Sequence, residues 1–199
     1  MRKIFNLGLS RTGTTSITKA LQILGFRVRH DLQGGGEYKY LDDLWRGSFD
    51  WDCLKNFDAF ADIPISIYYK ELDRQFLNSK FILTVRNKED WLASCQHHFS
   101  TIHKDISLVK RPLGKSWNMA HLDMPSLIRL MTYGRVYFDE PYFSDFYDQH
   151  KHDVQQYFKN RDEQLLILDI CGGEGWEKLC PFFGLPIPDE SFPNENKRK

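Results

Sequence analysis

The chain has 199 residues, enough for one domain with a full core. Its 27 basic and 27 acidic side chains balance, which excludes a general electrostatic attraction to nucleic acid or to a membrane surface. No apolar run reaches the length of a membrane span, and the four cysteines form neither a CxxC pair nor a zinc spacing.

The first element is a short apolar run, Ile4 to Leu7, read as a buried strand. Gly8 and Gly13 follow, with Ser10, Arg11, Thr12, Thr14, Thr15 and Ser16 around them. Ile17, Ala20, Leu21 and Leu24 then fall on one helical face, and Gly25 stops that helix. A strand, a glycine-bearing turn and a helix N-terminus aim several backbone N–H groups at one point, which suits a phosphate or sulfate group. The spacing approaches the nucleotide-binding loop G-x-x-x-x-G-K-[ST], but Thr14 stands where the lysine belongs. Arg11 supplies a cation from a different direction.

Arg27 to His30 forms a short extension or second strand, and Gln33 to Gly36 a glycine-rich loop. Residues 40–56 read as a helix and a turn. Phe57 to Ala61 is a buried strand ending at Asp62, and Pro64 opens a helix running to about Phe76 or Leu77. Lys80 to Val85 is the clearest strand, a continuous apolar and β-branched run suited to a central parallel position. It ends at Arg86. Asn87 caps the next helix, on which Trp91, Ser94, Cys95 and His98 share a face.

Residues 99–144 hold three prolines and many aromatics, and read as an irregular insertion on the substrate side of a cleft. A helix from about Ser144 to Asn160 follows, then a buried strand, Gln164 to Ile170, a Gly172-Gly173 turn and a last helix carrying Trp176, Leu179, Cys180 and Phe183. The alternation predicts an α/β fold: three layers, a central parallel sheet flanked by helices, like the P-loop NTPases. One domain, 1–199, is expected. Ligands of such sheets bind beyond the carboxyl ends of the strands, which puts the 8–16 loop, Asp62 and Arg86 on one rim.

These motifs resemble those of sulfotransferases that use 3′-phosphoadenosine 5′-phosphosulfate (PAPS). Gly8 to Ser16 resembles the family's loop for the 5′-phosphosulfate. Arg86 and Ser94, eight apart, resemble the strand-end arginine and helical serine that hold the 3′-phosphate. Gly175 to Cys180 with Phe192-Pro193 is similar to the C-terminal end of a small sulfotransferase subgroup. The resemblance covers about residues 3–195 and is weakest at 99–144. It implies sulfuryl transfer from PAPS to a hydroxyl or amine of a small-molecule acceptor, with adenosine 3′,5′-bisphosphate as product and no metal required. It implies a donor site of Ser10, Arg11, Thr12, Gly13, Thr14, Thr15, Ser16, Arg86 and Ser94.

Two positions depart from the pattern. Arg11 stands where many cytosolic members have lysine, and the histidine base of many members has no match after the strand ending at Arg86. His97 and His98 lie too far along their helix. The base is therefore sought at the rim, where Asp62 is the choice and His30 and Asp31 are the alternatives. Arg11 would stabilise charge on the transferred group.

Two rivals remain at this point. A kinase or NTPase would use Leu166 to Asp169 as a Mg²⁺-binding strand end, and a catalytically silent anion-binding protein would share the fold. Met1-Arg2-Lys3 runs straight into the first strand, so no signal peptide and a cytoplasmic location are expected.

Overall fold

The computed structural model describes residues 3–30, 55–102 and 124–195. The glycine-rich loop at 33–36, Asp31 and most of the helix expected over 40–56 lie outside these residues. Five parallel strands form one sheet in the order β2-β3-β1-β4-β5. They are β1 (Ile4–Asn6), β2 (Val28–Arg29), β3 (Ala59–Phe60), β4 (Lys80–Thr84) and β5 (Leu165–Leu168). The α-helices are α1 (Thr14–Ile23), α2 (Tyr69–Gln75), α3 (Lys88–Ile102), α4 (Met124–Tyr133), α5 (Glu140–Tyr157) and α6 (Trp176–Phe183).

Side chains alternate across a strand, and here they divide the core in two. Phe5, Phe60, Phe81 and Leu83 face a cluster that holds Trp91, Ile128, Phe143 and Val154 from α3, α4 and α5. Ile4, Ala59, Ile82 and Leu168 face the opposite cluster, with Ile17, Ala20 and Leu21 of α1 and Leu179 of α6. Register aligns Phe5 with both Phe60 and Phe81. Their rings stack at centroid distances of 5.7 and 5.6 Å, so one aromatic ladder crosses the three central strands. The expected three-layer α/β fold is observed.

Several boundaries differ from the sequence reading. The helix expected from Pro64 is a 3₁₀ turn, Ile65–Ile67, followed by α2. The helix expected from Ser144 starts at Glu140: Asp139 accepts a hydrogen bond from the Tyr142 amide, and Pro141 occupies the first turn. Much of the 99–144 stretch is helical where it is described, since α3 continues to Ile102 and α4 spans Met124–Tyr133. Among the described residues no helix is long and apolar enough to cross a membrane.

Candidate active site

The loop after β1 is shaped by one buried polar chain. Asn6 Oδ1 accepts from the Gly8 amide at 3.1 Å and from Thr84 Oγ1 at 3.2 Å. Thr84 Oγ1 in turn meets Thr12 Oγ1 at 2.8 Å, and Thr12 Oγ1 also donates to the Leu9 carbonyl. This ties the loop to β4. A Cβ on Gly8 would lie 1.7 Å from Thr84 Oγ1, so only glycine admits the close approach. Arg11 and Gly13 both take positive φ, 74° and 96°. The turn leads into α1, whose N-cap Gly13 offers no side-chain cap. The first-turn amides of a helix have no intrahelical acceptor, and with the helix dipole they attract an anion.

A cleft of about 220 Å³ opens over this helix start. The loop lines it with Arg11, Gly13, Thr14, Thr15 and Ser16. Arg86 and Ser94 come from the end of β4 and from α3. Ile170 and Cys171 follow β5, and Asn194 and Glu195 come from the chain's last described stretch. Seven of the nine expected donor-site residues therefore meet around one space. The other two face elsewhere. Ser10 donates to Asp62, and Thr12 is fully buried against β4.

The cations are held in place. Arg11 Nε donates to Ser94 Oγ at 3.1 Å, and Arg86 Nη1 to the Arg11 carbonyl at 3.3 Å. Arg86 Nε is buried and has no hydrogen-bond partner among the described residues. The main chain of Arg86 is pinned from both sides by Tyr147 Oη, at 2.9 Å from its amide and 2.6 Å from its carbonyl. Asn87 Oδ1 accepts from the Asp90 amide and caps α3 as the sequence suggests.

Asp62 sits at the end of β3 in the left-handed region, φ 74°. Non-glycine residues rarely adopt that conformation, and such positions concentrate at functional sites. Its Oδ1 accepts from Ser10 Oγ at 2.7 Å and from the Ile63 amide at 2.8 Å. Its Oδ2 has a long contact to Thr14 Oγ1, 3.4 Å, and lies 3.8 Å from His30 Nε2. The aspartate caps no helix, because the 3₁₀ turn after it starts from Pro64 without a side-chain cap.

Two residues near this cluster escaped sequence reasoning. His98, set aside as too far along α3, lies within electrostatic reach of Arg11, Arg129 and Asp62. Burial first, then Arg11 and Arg129, push its pKa down, and Asp62 opposes them. Its helical spacing from Ser94 was the available signal. Tyr133, at the end of α4, lies beside Ser10 with no local motif to mark it. Asp169, the candidate Mg²⁺ ligand of the kinase reading, instead closes a turn, accepting from the Gly172 amide at 2.8 Å.

Fold and cleft together define an α/β protein with a cleft opening over an uncapped helix N-terminus. Residues 3–199 match the sulfotransferase domain family, and the chain belongs to it. A curated relative, "Ava biosynthesis cluster protein M" of Aspergillus versicolor, is 27% identical, covering 96% of this chain and 80% of its own. The crystal structure of a sulfotransferase from Alicyclobacillus acidocaldarius aligns with a TM-score of 0.52 over all of this chain and 86% of that one. At 12% identity that likeness concerns the fold. Sulfuryl transfer is the activity this family carries.

Proposed function

We propose that the protein moves a sulfuryl group from PAPS to the hydroxyl or amine of a small-molecule acceptor, as one cytoplasmic domain. The observation that carries the donor is the cleft itself: an uncapped helix start, Arg11, Arg86 and Ser94 around one space, with Arg86 Nε unpaired among the described residues. The relative named for a biosynthesis cluster supports a small-molecule acceptor.

The amides of the first turn of α1, with Thr14, Thr15 and Ser16, would hold the 5′-phosphosulfate. Arg86 and Ser94 would hold the 3′-phosphate, Arg86 through its free Nε. The bound donor supplies the sulfuryl group and a phosphate leaving group. Arg11 Nε donates to Ser94 Oγ, and its guanidinium would stabilise charge growing on the oxygens of the transferred group. Asp62 would take the acceptor's proton. Its Oδ1 accepts from Ser10 and Ile63, so Oδ2, with the long Thr14 contact and His30 Nε2 at 3.8 Å, would be the atom that takes the proton.

Calorimetry with adenosine 3′,5′-bisphosphate and with ATP plus Mg²⁺ tests the reading. Binding of the bisphosphate alone supports it. Binding of ATP–Mg²⁺ alone would point to a kinase, and binding of neither would leave an anion site without this donor.

A further inference from the structure

Tyr147 lies on the buried face of α5, and its hydroxyl works on backbone just past the end of the sheet. The ladder between β4 and β5 ends at Thr84 opposite Leu168, and the Val85 amide makes one further bond to the Leu168 carbonyl. Arg86 is the next residue. Its amide donates to Tyr147 Oη at 2.9 Å, and Tyr147 Oη donates back to its carbonyl at 2.6 Å. A phenol has one proton to give and lone pairs to accept with, so one side chain does here what a neighbouring strand does for a sheet residue. Burial, the largest effect, raises the phenol above the ordinary tyrosine value, which keeps that proton in place.

The tyrosine also completes a ring of contacts beside the cleft. Its aromatic ring packs on the fully buried Trp91 of α3, with centroids 4.6 Å apart. One turn further along α3 stands Ser94, which accepts from Arg11 Nε. The Arg11 carbonyl accepts from Arg86 Nη1, and Arg86 is the residue that Tyr147 holds. Arg11, Arg86 and Ser94 line the cleft, and Tyr147 stands behind them. Phenylalanine would keep the packing on Trp91 and open the ring at Arg86.

We propose that Tyr147 is a positioning residue for the donor: by fixing the main chain of Arg86 it aims that guanidinium at the cleft, and so makes the site select nucleotides that carry a 3′-phosphate. This role rests on the reading of the cleft as a PAPS site with Arg86 at the 3′-phosphate. Guanidinium donors sit in a fixed planar fork, so their bonds to a phosphate tolerate little angular error. Without the phenol, the Arg86 amide and carbonyl would turn toward other partners, and the far end of a long side chain would move with them. The loop ahead of α1 is held instead by the bonds among Asn6, Thr12 and Thr84, which do not involve Tyr147. The 5′ side of the donor site should therefore keep its affinity while the 3′ side loses it.

The test is Tyr147→Phe, read by calorimetry with adenosine 3′,5′-bisphosphate and with adenosine 5′-phosphate, at a temperature where circular dichroism shows the variant folded like the parent. Losing two hydrogen bonds should lower the melting temperature by a few degrees. Bisphosphate affinity should fall about tenfold, and 5′-phosphate affinity should stay within about twofold. In an Arg86→Ala background the same substitution should cost the bisphosphate no further affinity, because the group it positions is gone. A tyrosine that only stabilises the fold would weaken binding in both backgrounds. Amide exchange in the parent gives a reading that survives a variant which does not fold. The Arg86 amide should be protected in the free protein, and should gain protection with the bisphosphate but not with the 5′-phosphate. Equal losses for the two nucleotides, an unchanged preference for the bisphosphate, or an Arg86 amide that exchanges as fast as an open loop overturns the role. A parent that binds neither nucleotide sinks the PAPS reading, and the role of Tyr147 with it.

Discussion

Arg86→Ala separates the two anion positions of the cleft. Arg86 follows β4 and has a buried Nε with no partner among the described residues, while its Nη1 makes a 3.3 Å bond to the Arg11 carbonyl. Alanine removes that unused donor and the charge behind it. A hydrogen bond to a charged group contributes about 1.5–3 kcal/mol, and solvent in the open cleft brings the figure toward the lower end. Adenosine 3′,5′-bisphosphate should therefore bind about tenfold to thirtyfold more weakly. Adenosine 5′-phosphate, which lacks the group Arg86 would serve, should bind within about twofold of the parent. The fold should survive, because Tyr147 grips the main chain of residue 86 and alanine keeps both of those bonds. Isothermal titration of both nucleotides is the assay, with a thermal melt as control. An equal loss for the two nucleotides in a folded variant would refute the assignment of Arg86 to the 3′-phosphate.

Asp62→Asn should lower single-turnover transfer by about a hundredfold or more, with bisphosphate affinity near the parent's. Asparagine keeps an oxygen for Ser10 and for the Ile63 amide, so parent-like turnover at every pH would move the base elsewhere, to His30 first. Gly13→Ala should cost about 1–2 kcal/mol, because φ is 96° and the new Cβ would sit 3.2 Å from Ile170; an unchanged melting temperature would show that the turn relaxes freely. Away from the cleft, Arg27 holds the Asp58 carboxyl down at about 2, first through the side-chain hydrogen bond and then through the Arg27 amide. A folded value below the unfolded one means stability present above about pH 4 and lost as pH falls toward 2. Asp58→Asn should flatten acid unfolding in that window, and an identical acid limb would contradict the coupling.

The donor side of the cleft was legible because its signals are local. A strand, a glycine turn and a helix start lie within twenty residues, and Arg86 and Ser94 are one strand end and the helix that follows it. Residue type could not reveal direction. Ser10 and Thr12 belong to the same hydroxyl-rich loop as Thr14 and Ser16, yet backbone reversals at Arg11 and Gly13 turn them toward Asp62 and β4. Tyr133 and His98 were hidden for a related reason. Each sits on a helix with ordinary apolar neighbours, and only packing of α3 and α4 against the sheet brings them near Asp62. Helix α5 began earlier than expected because Pro141 was read as part of an irregular stretch, although proline suits a first helical turn.

The strand order also bears on how the chain reaches this state. The strand made first, β1, ends in the middle of the sheet, paired with β3 at Ala59 and with β4 at Lys80. Its neighbours on both sides are thus encoded far downstream, and such non-local pairings form slowly. During synthesis β1 and its loop must wait until residue 84 has left the ribosome before both flanks are covered. The polar chain from Asn6 through Thr84 to Thr12 can close only then. Nascent chains halted before β4 should therefore fail to retain a bisphosphate resin, and capture should begin only in longer ones, so the ligand site itself becomes a timer for assembly of the sheet.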